Sequence, residues 1–369
     1  MAEMLAVVMG TRPEVIKLAP VVWELERREV PYEVWAITPY YFELLDIALR
    51  GFGIEPDYWV EVPHPDLSLL SFSRETLGRL ELLFKARSPW AVIVQGDTIT
   101  AWLGAYIAFL RKVPVFHVEA GVRSLNLAEP YPEEALRRWI DEVAEIKFCP
   151  TNQTWINLWN ERLEHHSYLV GNTGIDALKW AREELGPTPD KHLKIEIDLH
   201  RREHWSEIPS IMQALSDLAR DFPRWRFCFV LHPAVIPGLP SEAPANCKFL
   251  EPLSYTNFCQ LLRESQFCIT DSGGVQEEAA YLGIPCLVAR DHCDRPESIN
   301  EGIAIQVGSD PRDIVRAAER LIRNEALRKK MARPSKVFGD GTAARKIGEI
   351  LEAWVKDYGK GVVKRGQSG

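Results

Sequence analysis

The sequence predicts an α/β protein made of two parallel-sheet units in tandem, and three observations carry that reading. Short apolar runs alternate with longer amphipathic stretches; the rhythm stops at a polar, Pro-bearing segment, Gly186-Pro187-Thr188-Pro189-Asp190-Lys191; and it restarts with a new apolar run at Leu193. Such alternation gives strand-helix-strand crossovers and a sheet covered on both faces. In order, Leu5 to Met9 reads as the first strand, with a helix from about Glu14, and Tyr32 to Ile37 as the second, with a helix through Leu44. Trp90 to Gln95 and Val113 to Val118 read as strands flanking a helix from Thr98. Past the polar segment, Leu193 to Ile197, Arg226 to Leu231 and Phe267 to Ile269 read as strands. Helical periodicity returns at Ile314 to Met331 and at Ala343 to Tyr358, before a Gly- and Lys-bearing tail expected to be disordered. The expected domains are residues 1–172 and 173–342, with 343–369 as a closing helix and tail.

Composition narrows the function. A chain of 369 residues with 46% hydrophobic content has ample core for two domains. A net charge of -8 argues against a nucleic-acid surface, which needs clustered Lys and Arg. The 7 cysteines are scattered without a C-x-x-C pair and read as buried thiols rather than disulfides or metal ligands. The start lacks a basic, cleavable leader pattern and no apolar run is long enough for a bilayer, so the expected location is cytoplasmic, with no membrane partner.

Ligands of open parallel sheets sit at the carboxyl ends of strands, so the residues just after each strand carry the functional reading. The segment from Thr270 to Ala280 reads as strand, Ser272-Gly273-Gly274 turn and helix. Small side chains there let a diphosphate approach the N–H groups and positive dipole end of a helix. Glu278, one turn in, is placed to accept hydrogen bonds from ribose hydroxyls. The Lys-Ser/Thr ending of a triphosphate loop is absent. For a glycine pair alone an ordinary strand-helix turn is the simpler reading; the acidic helix and the other strand ends favour a pocket. Those ends hold Arg12 and Lys17 after the first strand, Asp97 after Gln95-Gly96, Glu119 after His117-Val118, and Glu133 after Pro130-Tyr131-Pro132. Asp97 alone reads better as a helix N-cap, and Glu133 as an acid complementing a helix dipole. Together, carboxylates from separate strand ends suit general acid-base chemistry. In the second half, His200 beside Arg201 and Arg202, and Arg295 before Pro296, offer cations for a diphosphate. His292 with Cys293 is too short a pattern for a metal.

These stretches, in order, resemble the non-hydrolysing bacterial UDP-N-acetylglucosamine 2-epimerase family: GTRPEVIKLAPVV from Gly10, GDTIT from Gly96, HVEAGVRS from His117, PYPEEALRR from Pro130, GNTGIDAL from Gly171, HRRE from His200, EPLSYTNF from Glu251, TDSGGVQEEAAYLGIPCLV from Thr270 and RPE from Arg295. The resemblance implies two Rossmann-like domains of the GT-B type with the active site in the cleft between them. It also implies a C-terminal helix crossing back to the first domain, and a homodimer. It assigns catalytic roles to Asp97, Glu119, Glu133 and His200, and substrate-binding roles to Arg12, Lys17, Phe258, Ser272, Gly273, Gly274, Glu278 and Arg295. Phe258 would lie beside the uracil.

The implied reaction is reversible epimerisation at C2 of UDP-N-acetylglucosamine through a glycal and released UDP. It needs no redox cofactor, and the sequence has no G-x-G-x-x-G dinucleotide fingerprint. A hydrolysing epimerase, a UDP-sugar glycosyltransferase and a nucleotide-sugar sensor remain open at this point. Departures from the family pattern include Gln95 in place of His before Gly-Asp-Thr, Leu136 in place of Asn, Tyr40-Tyr41 in place of Gln-His, and the stretch His64-Pro65-Asp66-Leu67. The last two fall where a second UDP-N-acetylglucosamine activates bacterial members, so activation is expected to be altered or missing.

Overall fold

A strand buried on both faces needs apolar side chains at successive positions, and β1 (Leu5–Met9) meets that condition with all five residues buried. The structure is a computed structural model that describes residues 4–38, 42–62, 68–187, 192–201, 205–239 and 242–365; Tyr40, Tyr41, His64 to Leu67, Arg202 and Glu203 lie outside them. The chain divides into two compact units, Met1–Gly121 with Ala135–Ala177 and Gly339–Gly369, and Val122–Glu134 with Leu178–Phe338.

In the first unit, β1, β2 (Tyr32–Ile37), β3 (Tyr58–Val60), β4 (Ala91–Gln95), β5 (Val115–Val118), β6 (Ile146–Cys149) and β7 (Ser167–Leu169) form one parallel sheet in the order β3-β2-β1-β4-β5-β6-β7. Along this part of the chain the helices are α1 (Arg12–Arg27), α2 (Phe42–Gly51), α3 (Leu69–Arg87), α4 (Ile99–Leu110), α5 (Glu133–Val143), α6 (Asn152–Asn160) and α7 (Thr173–Leu185); residues 133–134 and 178–185 are counted with the second unit. One face of the sheet packs Ala6, Val8, Trp35, Val92 and Val94 against Phe84 of α3 and Leu103 of α4. The Trp35 and Phe84 rings meet edge-on at 5.2 Å. Strand order reverses between β1 and β4, so Gly10 and Gly96 follow the two strands that flank the switch point, where ligands of such sheets bind.

The second unit repeats the plan with β8 (Lys194–Asp198), β9 (Arg226–Val230), β10 (Cys247–Leu250), β11 (Phe267–Thr270), β12 (Cys286–Val288) and β13 (Ala304–Gln306), in the order β10-β9-β8-β11-β12-β13. Its helices are α8 (Ile208–Asp221), α9 (Tyr255–Glu264), α10 (Gly273–Leu282), α11 (Glu297–Asn300), α12 (Pro311–Arg323) and α13 (Glu325–Met331). Alternate residues of β9 serve opposite faces. Phe227 and Phe229 pack with Leu215 of α8 and Leu321 of α12, while Cys228 and Val230 pack with Leu262 of α9 and Ala279 of α10. The switch point lies between β8 and β11, which His200 and Ser272 follow.

The closing helix α14 (Ala343–Arg365) belongs to the first unit. Asp176 of α7 accepts the Ala343 and Ala344 amides at 3.1 and 3.0 Å, capping its start from a distant segment. Arg28, which caps the C-terminus of α1, donates to Glu352 at 2.6 Å, and Trp354 stacks on Trp90 at 5.2 Å.

Two sequence expectations change. The helical stretch Ile314 to Met331 is two helices, because Asn324 leaves helical geometry (φ -111, ψ 86) and its side chain accepts the Leu327 amide at 2.9 Å, capping α13. The helix from Ala343 also continues beyond Tyr358, through Gly359 and Gly361, to Arg365.

Glycine is required at position 121 for two independent reasons. Its φ is +80, and a Cβ there would sit 2.2 Å from the Thr154 carbonyl oxygen, whereas Gly96, at φ +72, has no atom within 4 Å of such a Cβ. Gly96→Ala is therefore expected to cost only the left-handed backbone term, roughly 1–2 kcal/mol. Gly121→Ala should lose about 4 kcal/mol or more, the size reserved for steric failure. Urea unfolding of the two variants distinguishes them; equal losses would contradict the packing argument.

Candidate functional site

The first unit supplies a set of carboxylates held by neighbouring cations and amides. Glu14, fully buried in the first turn of α1, accepts the Gly10 amide at 2.8 Å and the hydroxyls of Thr98 and Thr100 at 2.6 and 2.9 Å. It thereby ties the turn after β1 to the turn after β4. Burial raises its pKa against the pull of those donors. Thr98 also caps α4, accepting the Ala101 amide at 3.1 Å. The N-cap reading of Asp97 thus passes to Thr98, and Asp97 instead pairs with Arg137 of α5. Arg137 is buried; the Asp97 side chain keeps 26% of its surface exposed.

Glu119 follows β5 with φ +72. Its Oε2 accepts from the Lys17 ammonium of α1 and from the Gln95 amide at 2.8 Å. Both ionic side chains of the pair are 8% exposed. Two residues earlier, His117 is fully buried. Its Nε2 donates to the Gly96 carbonyl at 2.8 Å, and its Nδ1 shares a hydrogen with Asp141 of α5 at 2.6 Å. The other oxygen of Asp141 accepts the Gly121 amide at 3.1 Å.

In the second unit, α10 begins at Gly273 with no acidic residue in its first turn, so the N–H groups of that turn present positive potential. A Cβ on Gly273 would meet Arg295 at 2.8 Å, so glycine lets that guanidinium lie on the turn, while Gly274 has room to spare. Arg295 is buried and pairs with Glu277 and, at 2.9 Å, with Asp294. Glu278 accepts from the Tyr255 hydroxyl at 2.8 Å. Burial, with Cys259 and Glu278 alongside, pushes the Tyr255 pKa well above its ordinary value, so the hydroxyl stays a donor. Phe258 is buried among Val230, Leu262, Val275 and Ala279. Arg12, at the first position of α1 in the other unit, is half-buried.

His200 follows β8. Asp271, the residue after β11, accepts its backbone amide at 3.1 Å and that of Arg201 at 2.9 Å. Asp198 accepts from Nδ1 at 3.0 Å, and the ring lies parallel to His232 at 5.8 Å. Burial opposes the charged ring, but Asp198 and Asp271 outweigh it and push the pKa up to about 9. His200 is therefore an imidazolium at neutral pH, with a 34% exposed side chain. Glu196, two residues before Asp198 and fully buried, is held as the neutral acid by burial.

Glu133 opens α5 after cis peptides at Glu129-Pro130 and Tyr131-Pro132 and belongs to the second unit. It is half-buried, while Glu134 is fully buried and accepts the Ser124 amide at 2.9 Å. The structure thus groups Lys17, Asp97 and Glu119 at the switch point of the first sheet. It groups His200 with Ser272, Gly273 and Gly274 at that of the second. Sequence reasoning gave no role to Glu14, Gln95, His117, Arg137 and Asp141. The available signal was a polar residue inside an apolar strand, as His117 and Gln95 are.

A family model described as UDP-N-acetylglucosamine 2-epimerase matches residues 36–352. The chain belongs to that family. The UDP-N-acetylglucosamine 2-epimerase of Neisseria meningitidis is 36% identical, over 93% of this chain and 98% of its own. That of Bacillus subtilis is 35% identical, over 93% of each chain. Among solved structures, the Neisseria meningitidis UDP-GlcNAc 2-epimerase bound to UDP-GlcNAc superposes with a TM-score of 0.88 at 34% identity, covering 95% of this chain and all 100% of the other. A spinosyn rhamnosyltransferase, 16% identical with a TM-score of 0.59, shares the fold alone. Two α/β units of the GT-B type are thus common to the epimerase family and to a transferase.

Because folding raises the His200 pKa from 6.5 to about 9, the stabilisation from its ion pairs is complete below pH 6.5 and is lost as pH rises through about 9. Asp198→Asn should bring the His200 midpoint down toward 6.5, read from the ring C–H proton signals. A midpoint that stays near 9 would show that Asp198 is not the source.

Proposed function

We propose that this protein epimerises UDP-N-acetylglucosamine at C2, reversibly giving UDP-N-acetylmannosamine. The C2 hydrogen of an N-acetylhexosamine is not next to a carbonyl, so simple deprotonation is very costly. If the C1–O bond to the diphosphate breaks as a base takes the C2 proton, the C–H electron pair becomes the C1=C2 bond of a glycal and the C1–O pair leaves on UDP. Protonation of C2 on its other face and re-addition of UDP at C1 give the epimer. The chemistry asks for an ionised base, an acid and a clamp for the departing diphosphate.

The observation that carries this reading is the placement of Asp97 and Glu119 after adjacent strands β4 and β5, each beside a cation. We assign acid-base work on the sugar to Asp97, Glu119 and Glu133. Diphosphate binding falls to the α10 turn of Ser272, Gly273 and Gly274, with Arg295; Arg12 and Lys17 are the substrate-binding residues of the first unit. The His200 imidazolium neutralises charge on UDP as it leaves. Glu278 takes the ribose hydroxyls, and Phe258 forms the wall behind the uracil. The bound UDP-GlcNAc of the Neisseria meningitidis relative supports the substrate class.

Proton NMR of the protein with UDP-N-acetylglucosamine in deuterated water should show deuterium at C2 and a new UDP-N-acetylmannosamine signal. UDP with free N-acetylmannosamine would instead make the enzyme hydrolysing, and an unchanged sugar would overturn the reading. Asp97→Asn and Glu119→Gln should each lower kcat by roughly 10²–10⁴, with UDP affinity by calorimetry unchanged.

We place the enzyme in the cytoplasm as a homodimer. All seven cysteines are free thiols, as a reducing compartment requires, and no helix among the described residues is long and apolar enough to cross a membrane. Leu82 of α3 and Phe109 and Leu110 of α4 are exposed apolar side chains that a second copy would cover. Sedimentation equilibrium should give twice 42.0 kDa; a monomer mass would remove the dimer.

A further inference from the structure

We propose that Gln95 is a positioning residue for Glu119, fixing its carboxylate from the neighbouring strand while contributing no titratable group of its own. The inference deepens the epimerase reading and rests on it. Gln95 ends β4, is 4% exposed and stands in register with Val118, the residue before Glu119. Its amide donates to Glu119 Oε2 at 2.8 Å, the same oxygen that the Lys17 ammonium contacts. Three elements, α1, β4 and β5, therefore meet at one carboxylate oxygen.

The chemistry of the two donors differs. Lys17 is charged and sits on a long, flexible stem, so it holds charge but directs poorly. The Gln95 carboxamide is short, neutral and anchored in a sheet ladder, so it sets the direction of the bond. A donor to the ionised form favours that form. The other charged and titratable groups on this side of the unit already have partners: Asp97 with Arg137, His117 with Asp141, and Glu14 with Gly10, Thr98 and Thr100. Arg12 lies at the start of α1, the helix that carries Lys17. A non-titrating partner lets the carboxylate keep one orientation across the working pH range, where a histidine or acid at position 95 would change its hydrogen bonding with pH.

Two variants test this. Gln95→Leu removes the donor, and Gln95→Glu keeps the shape but turns donor into acceptor. Each is followed by steady-state kinetics across pH. In Gln95→Leu kcat should fall roughly tenfold or more with KM little changed. Gln95→Glu should lose more rate at high pH than at low pH, where its protonated carboxyl can still donate to Glu119. Should Gln95→Leu fail to fold, the isosteric Gln95→Glu carries the test alone. A folded variant whose kcat and pH-rate profile match the wild type overturns the proposal. If the wild type itself shows no turnover, the epimerase reading fails instead, and the carbon chemical shift of the Glu119 carboxyl in Gln95→Leu still reports whether Gln95 contacts Glu119.

Discussion

Asp141 accepts from His117 at 2.6 Å and from the Gly121 amide at 3.1 Å, while the far side of the same imidazole donates to Gly96 at 2.8 Å. Everything at the switch point of the first sheet depends on that buried chain. A carbonyl can only accept, so Nε2 must carry a hydrogen, and a single further proton lies between Nδ1 and Asp141. The loop that bears Asp97 and the loop that bears Glu119 are thereby fixed to one ring. Strand pairing alone cannot do this, because the ladder ends where both loops begin. Glu14 performs the same task from the other side, joining the turn of Gly10 to Thr98 and Thr100.

The two units place charge in contrasting ways. In the first, carboxylates after adjacent strands lie beside cations: Asp97 beside Arg137, Glu119 beside Lys17. In the second, carboxylates serve to keep a cation charged. Asp198 and Asp271 hold His200 as an imidazolium up to about pH 9, and burial keeps Glu196 neutral so that it does not compete. With the roles proposed above, the carboxylates of the first unit exchange protons and the imidazolium of the second receives negative charge, the division an elimination of a nucleoside diphosphate calls for.

Much of this was legible in the sequence. A run such as Leu5 to Met9, apolar at every position, reads as a strand buried on both faces, and the residues after it are the ones at the strand end. The short strands β3, β6, β7, β10 and β13, three or four residues each, escaped because so brief a run has no period to read. The partners escaped for another reason. Lys17 and Glu119 are 102 positions apart, and Glu14 and Thr98 are 84 apart, so neither pair leaves a local pattern. Asp97 and Thr98 both suit an N-cap by type; in the fold Thr98 serves and Asp97 turns to Arg137, forty positions away.

Glu119 itself sits at φ +72, where a side chain with a Cβ is disfavoured by roughly 1–2 kcal/mol and glycine would be at ease. The strand must turn sharply there so that Glu119 and Ala120 both donate to the Phe148 carbonyl. A chain shaped for stability alone would place glycine or asparagine at that corner. Keeping a glutamate means the fold carries a standing conformational debt at the residue to which we assign acid-base work. Stability screens that reward relaxation of that corner will therefore tend to select against activity.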